Sequence, residues 1–256
     1  MKNAIFCIAV SALSISAVAG NVQIQVLDRD GKPVPDAVVV VYPGTPAGSP
    51  PSLLQANPTI EQEKMRFVPA VTVVLPGSTV RFTNQDRWDH HVRGAPAGLS
   101  AASLSAASAT PSEARAEESP NVFELRLSGK AEGTPANFAD VKLDHAGVVL
   151  LSCHLHGSMR GHVFVTDSAW TLKTDGDGIA RFDSVPDGAA QVRVWHAEQL
   201  VDVPRKTLKV VPGPVLDTVQ LSVVPRMRRP VRSSGAPATA VPVAATLPGA
   251  LMAHQH

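Results

Sequence analysis

The chain has 256 residues, a formal net charge of +1 at pH 7, near-equal numbers of acidic and basic side chains and a single tyrosine. That balance gives no sign of the basic surface with which proteins hold nucleic-acid phosphates. Two cysteines, Cys7 and Cys153, are too few for a disulfide framework.

At the N-terminus Lys2 precedes an apolar run over 4–18, and Ala17-Val18-Ala19 before Gly20 forms a small-x-small cleavage site. Residues 1–19 therefore read as a secretory signal peptide, and the mature protein as periplasmic or secreted. The apolar run is short for a membrane span, so no transmembrane span is expected after cleavage. Cys7 departs with the signal, which leaves Cys153 alone. In an oxidising compartment a lone thiol bridges to another chain, stays reactive or is occupied by a metal. About 205 residues between the signal and the tail suffice for two small β domains.

Residues 22–27 alternate apolar and polar, turn at 28–33, and resume as a valine-rich strand over 37–42. The stretch 43–58, rich in Pro, Gly, Ser and Ala, fits a linker or a long surface loop. Residues 65–82 read as two strands around the turn Leu75-Pro76-Gly77-Ser78, and lead to the adjacent pair His90 and His91. Residues 93–119 are mostly Ala and Ser. They hold too little large apolar surface to build a core, so disorder or a marginal helix is expected.

A short strand over 123–127 and a strand pair over 141–151 then bring the chain to Cys153-His154-Leu155-His156-Gly157-Ser158-Met159. Within seven residues this loop offers a thiolate, an imidazole and a thioether to one point in space. The thiolate is soft, imidazole borderline, and thioether a ligand that soft metals use, so two histidines, a cysteine and a weak axial methionine select copper in an electron-transfer site. The second histidine is to come from the pair at 90 and 91. No nucleophile with an adjacent base is recognisable, and four protein ligands leave no open position for substrate, so the chain reads as a non-enzyme.

Beyond residue 166, Thr174-Asp175-Gly176-Asp177-Gly178 turns into a strand over 179–182, and Val185-Pro186-Asp187-Gly188 turns into another over 191–195. His196 follows it, most simply as a histidine packed at a strand end. The tail 225–256 opens on a basic cluster and continues Pro- and Ala-rich, as a disordered segment does. Its His254 and His256 are too mobile for a defined site.

The combination Phe67-x-Pro69, Gly77-Ser78-x-Val80-x-Phe82-x-Asn84, His-x-Val and Cys-x-x-His-x-x-Met, spread over 62–166, resembles the cupredoxins of amicyanin and plastocyanin type. The resemblance implies a Greek-key β-sandwich with one copper ion in a type 1 site, held by His90, Cys153, His156 and Met159. In that family the first histidine is followed by an asparagine that bonds the ligand loop. His91 stands in its place, and is the alternative first ligand.

The flanks, 22–42 together with 174–195, resemble a carboxypeptidase-regulatory-like or transthyretin-like β-sandwich whose second half is displaced. The expected layout is thus a discontinuous sandwich of 20–44 and 167–224 around a cupredoxin domain at 59–166. The alternative is an N-terminal hairpin that extends the cupredoxin sheet by pairing with 65–74.

Together with Phe-Glu-Leu-x-Leu and Val-Trp-His, the layout is similar to the methylamine-utilisation-type periplasmic proteins. It implies an exported electron carrier cycling between Cu(I) and Cu(II), with redox partner proteins that the sequence does not name. The main alternative is copper delivery or storage, in which His91, His154 and His162 would add transfer sites; a zinc site and a scaffolding role are the lesser ones.

Overall fold

The computed structural model describes residues 19–45, 54–97, 121–199, 203–222 and 224. All of the expected signal peptide but Ala19, the middle of the 43–58 linker, most of the 93–119 insert and the 225–256 tail lie outside the described residues. The described residues are all-β, as expected. No helix among the described residues is long and apolar enough to cross a membrane.

In chain order the strands are β1 (Ala19–Leu27), β2 (Val38–Pro43), β3 (Thr59–Glu63), β4 (Arg66–Val68), β5 (Val71–Val74), β6 (Ser78–Asn84), β7 (His90–Pro96) and β8 (Phe123–Leu127). There follow β9 (Asn137–Leu143), β10 (Gly147–Cys153), β11 (Arg160–Val165), β12 (Thr171–Lys173), β13 (Ile179–Pro186), β14 (Gly188–Trp195), β15 (Lys206–Val210) and β16 (Pro214–Gln220). They form four sheets, ordered β13-β1-β16, β12-β2-β14-β15, β4-β3-β6-β9 and β5-β11-β10-β7-β8.

The first two sheets close on one core. β1 alternates along its length, turning Val22, Ile24 and Val26 inward against Phe182, Val192 and Val194, as a strand with one buried face must. It pairs antiparallel with β13 and parallel with β16, while β2 pairs antiparallel with β14. The segment 22–42 thus makes its ladders with 179–195 and the C-terminal strands.

The other two sheets close on a second core of Ile60, Phe67, Val80, Phe82, Leu151 and Val163. Here β10 lies between β7 and β11, antiparallel to both. β7 continues to Pro96, four residues into the Ala- and Ser-rich stretch, because β10 and β8 supply hydrogen-bonding partners on either side of it.

Four consecutive valines in β2 are buried completely, which a strand allows only when both its faces are covered. Val39 and Val41 enter the first core. Val38 and Val40 point the other way and join Val71, Phe164 and Trp195 in a smaller apolar cluster that bridges the two sandwiches. The rings of Phe164 on β11 and Trp195 on β14 lie 5.5 Å apart.

Candidate metal centre

The site is built where the loop from β6 to β7 meets the end of β10. Asn84, the last residue of β6, is fully buried. Its Nδ2 donates to the carbonyls of Trp88, Leu127 and Ser128 at 2.9, 3.1 and 3.0 Å, and its Oδ1 accepts the Asp86 N–H at 2.9 Å. One side chain thereby ties the 85–89 loop to the end of β8. Gly129 lets the two backbones touch, since a Cβ there would strike the Arg87 carbonyl. Lys130 N–H then donates to the Asp86 carbonyl at 2.7 Å. A loop so fastened presents His90 at the start of β7 in a fixed direction.

The His90 ring is buried, with Nε2 2.9 Å from Asp86 Oδ2. Its Nδ1 is 3.6 Å from Cys153 Sγ and 3.2 Å from His156 Nδ1, and the sulfur is 3.5 Å from His156 Nδ1. The three donors make a nearly equilateral triangle. The centre of such a triangle, an edge divided by √3, is about 2 Å from every corner, close to the ~2.0–2.1 Å of a metal–imidazole bond and the ~2.3 Å of a metal–thiolate bond. His90, Cys153 and His156 could therefore hold a metal ion together. Burial pushes the His90 ring below the usual imidazole range, outweighing the nearby Asp86 that pulls it up. A ring neutral at pH 7 is what metal ligation requires.

Cys153 reaches this point because β10 pairs it with Val92 of β7, two residues beyond His90. The loop after it is short and tied at both ends. His154 N–H donates to the His91 carbonyl at 2.8 Å, and Met159 N–H donates to the His156 carbonyl at 2.9 Å. Met159 is 1% exposed and belongs to the same apolar cluster as Cys153. His156 keeps partial exposure, while its neighbour Leu155 is 55% exposed.

His91 faces away from the triangle. Successive strand residues point to opposite sides, so its Nε2 meets Glu124 of β8 on the outer face of the sheet. The ring stands edge-on to His154 at 5.6 Å. His90, His91 and His154 border a cleft of about 390 Å³ beside the triangle. His162 lies elsewhere, against Trp195 at 5.3 Å, and His196 Nδ1 accepts the Glu198 N–H at 3.2 Å. Sequence reasoning passed over Asp86. The only signal for it was a carboxylate four positions before the histidine, in a loop of polar residues.

Neither a protein-family model nor a curated protein matches the chain. Among solved structures it is similar to amicyanin from Paracoccus versutus, with 16% identity over 50% of this chain and 97% of that one at a TM-score of 0.30. Auracyanin A, a blue copper protein of Chloroflexus aurantiacus, is 22% identical over 43% of this chain and 98% of the other, with a TM-score of 0.31. A copper-containing nitrite reductase from Thermus scotoductus shows 18% identity over 50% of this chain and 25% of its own, again at 0.31. Likenesses this distant carry no weight for function, which rests on the ligand geometry.

Proposed function

We propose that the chain is an exported protein with a mononuclear type 1 copper site and that it serves as an electron carrier, not an enzyme. The observation that carries this reading is the triangle of His90 Nδ1, His156 Nδ1 and Cys153 Sγ, with edges of 3.2–3.6 Å. One thiolate and two imidazoles at such a spacing, with the thioether of Met159 as the weak fourth ligand, form the donor set that copper electron-transfer sites use. Copper bound there supplies a one-electron couple between Cu(I) and Cu(II).

The protein's part is to hold the donors still. Asn84 fixes the loop that carries His90, the ladder between β7 and β10 fixes Cys153, and two main-chain hydrogen bonds brace the loop that carries His156 and Met159. Little then has to move when an electron arrives or leaves. The partly exposed His156 is the natural place for it to pass.

In this reading 59–166 is a cupredoxin domain, and 20–44 with 167–224 a discontinuous transthyretin-like sandwich around it. The whole resembles the methylamine-utilisation-type periplasmic proteins. Delivery or storage of copper is the second reading, favoured by one observation. His91 and His154 stand 5.6 Å apart on the same cleft as His90, where a departing ion would meet further imidazoles.

Visible and EPR spectra of the signal-free protein after addition of Cu(II) separate the two. An intense visible absorption from thiolate-to-copper charge transfer, with narrow hyperfine splitting, supports the carrier, and Cys153→Ala should abolish it while leaving a folded protein. Weak absorption with ordinary hyperfine values would place the ion on imidazoles alone and favour delivery.

A further inference from the structure

The turn between β3 and β4 has a sequence ill suited to its shape. Two residues, Lys64 and Met65, connect strands that end at Glu63 and begin at Arg66. Both lie in the left-handed region, at φ of 52° and 56°. A two-residue hairpin with both central residues left-handed is where chains place Asn-Gly or Asp-Gly, because side chains with a long stem are disfavoured there. Something outside the turn must hold it.

That something is Asp86. Its Oδ1 accepts the Lys64 N–H at 2.7 Å and its Oδ2 accepts the Met65 N–H at 3.0 Å, across 22 and 21 positions of sequence. The same Oδ2 faces His90 Nε2 at 2.9 Å. The side chains are 6% and 0% exposed, so no water competes for the contact between them.

We infer that Asp86 is a positioning residue for the metal centre: anchored by the two N–H groups of the β3–β4 turn, it fixes His90 as the tautomer protonated on Nε2, with a bare Nδ1 directed at Cys153 and His156. A carboxylate has no hydrogen to give and only accepts. With both oxygens already accepting main-chain hydrogens, the hydrogen shared with His90 has to come from the ring. A neutral imidazole with its hydrogen on Nε2 carries its free electron pair on Nδ1, and that is the atom at the corner of the donor triangle. The two main-chain bonds keep the carboxylate from swinging away, so the odd turn sequence and the orientation of the histidine have one cause. As a role in metal binding, this rests on His90 being a ligand; as a statement about the ring, it does not.

The ring itself is read first, in metal-free protein, from two-bond nitrogen–proton correlations of the imidazoles. His90 is expected with a protonated Nε2 and a bare Nδ1, whether or not the protein ever binds copper. A ring protonated on Nδ1 in the wild type overturns the inference outright.

Cu(I) affinity, measured by competition with a chromophoric chelator, is the second readout. Asp86→Ala should mix the two tautomers and weaken Cu(I) binding by about 10- to 100-fold, the usual effect of removing a partner that orients a ligand. Since that variant also strips the turn of its acceptor, the comparison is repeated with Lys64→Asn and Met65→Gly added, which lets the hairpin stand alone. If this triple variant folds with the wild-type tautomer and wild-type Cu(I) affinity, Asp86 merely supports the turn and the inference falls. A wild type that shows the expected tautomer but takes up no Cu(I) would sink the copper reading and leave the account of the ring intact.

Discussion

His90 and His91 are neighbours that face opposite ways, and the difference is set by the pleat of β7. One ring enters the buried donor triangle; the other leans on Glu124 at the outer face of the sheet. The two alanine variants should therefore part company. His90→Ala should lose the thiolate–copper absorption, whereas His91→Ala should keep it and cost no more than about 1–2 kcal/mol, because the Glu124 side chain it touches is half-exposed and can turn to water. Visible spectra and urea titrations of both proteins check this, and loss of the band in the second alone would shift the ligand by one residue.

Cys153 and His156 of the triangle were legible because they stand three positions apart in one short loop. Asp86 was not. An aspartate between Gln85 and Arg87 looks like any solvent-facing loop residue, and its hydrogen-bond partners are main-chain atoms of a turn more than twenty positions earlier.

Among the elements, the 85–89 loop depends most on a single residue. Asn84→Ala would remove four hydrogen bonds made by a fully buried amide, two of them, to the Leu127 carbonyl and the Asp86 N–H, in buried surroundings. A loss of about 3 kcal/mol is expected, since unmade buried hydrogen bonds cost ~1–3 kcal/mol each and some relaxation follows. Chemical denaturation measures it, and an unchanged midpoint would mean that the loop is held by β8 alone.

The strands with strong alternation or valine runs, β1, β2, β8 and β10, were plain from the sequence. β3, β12, β15 and β16 were not, for physical reasons. β3 reads Thr-Ile-Glu-Gln-Glu and buries a glutamine, Gln62, at 0% exposure. Three residues of β12 are too few to show a period. β16 leaves Leu216 71% exposed while burying Val219, and such an edge strand owes its place to the parallel ladder with β1 rather than to its own pattern.

At the scale of the molecule the two sandwiches share Val38, Val40, Val71, Phe164 and Trp195. The four-valine run of β2 read from the sequence only as a strand; that both its faces are covered depends on β11, which brings Phe164 beside it. Trp195→Ala would open a cavity in that shared cluster and should cost roughly 3–5 kcal/mol, the range for removing a large buried aromatic. Calorimetry should then resolve two unfolding transitions in place of one, with the donor triangle in the later or earlier melting half. A single transition at reduced temperature would mean that the sandwiches stay coupled without this ring.

The nesting of one sandwich between the strands of the other also sets an order of events as the chain is made. Ala37 N–H waits for Thr174 Oγ1, 137 positions later, and β1 and β2 have no sheet partners until β12 to β16 have been synthesised. The inner sandwich draws all its ladders from 59–165 and is complete much sooner. For that interval two valine-rich edges stand open to other chains, the condition in which strands aggregate most readily. The outer sandwich, with the longest loops to close, is the slow step, and the nascent protein is most vulnerable at the end farthest in sequence from its own completion.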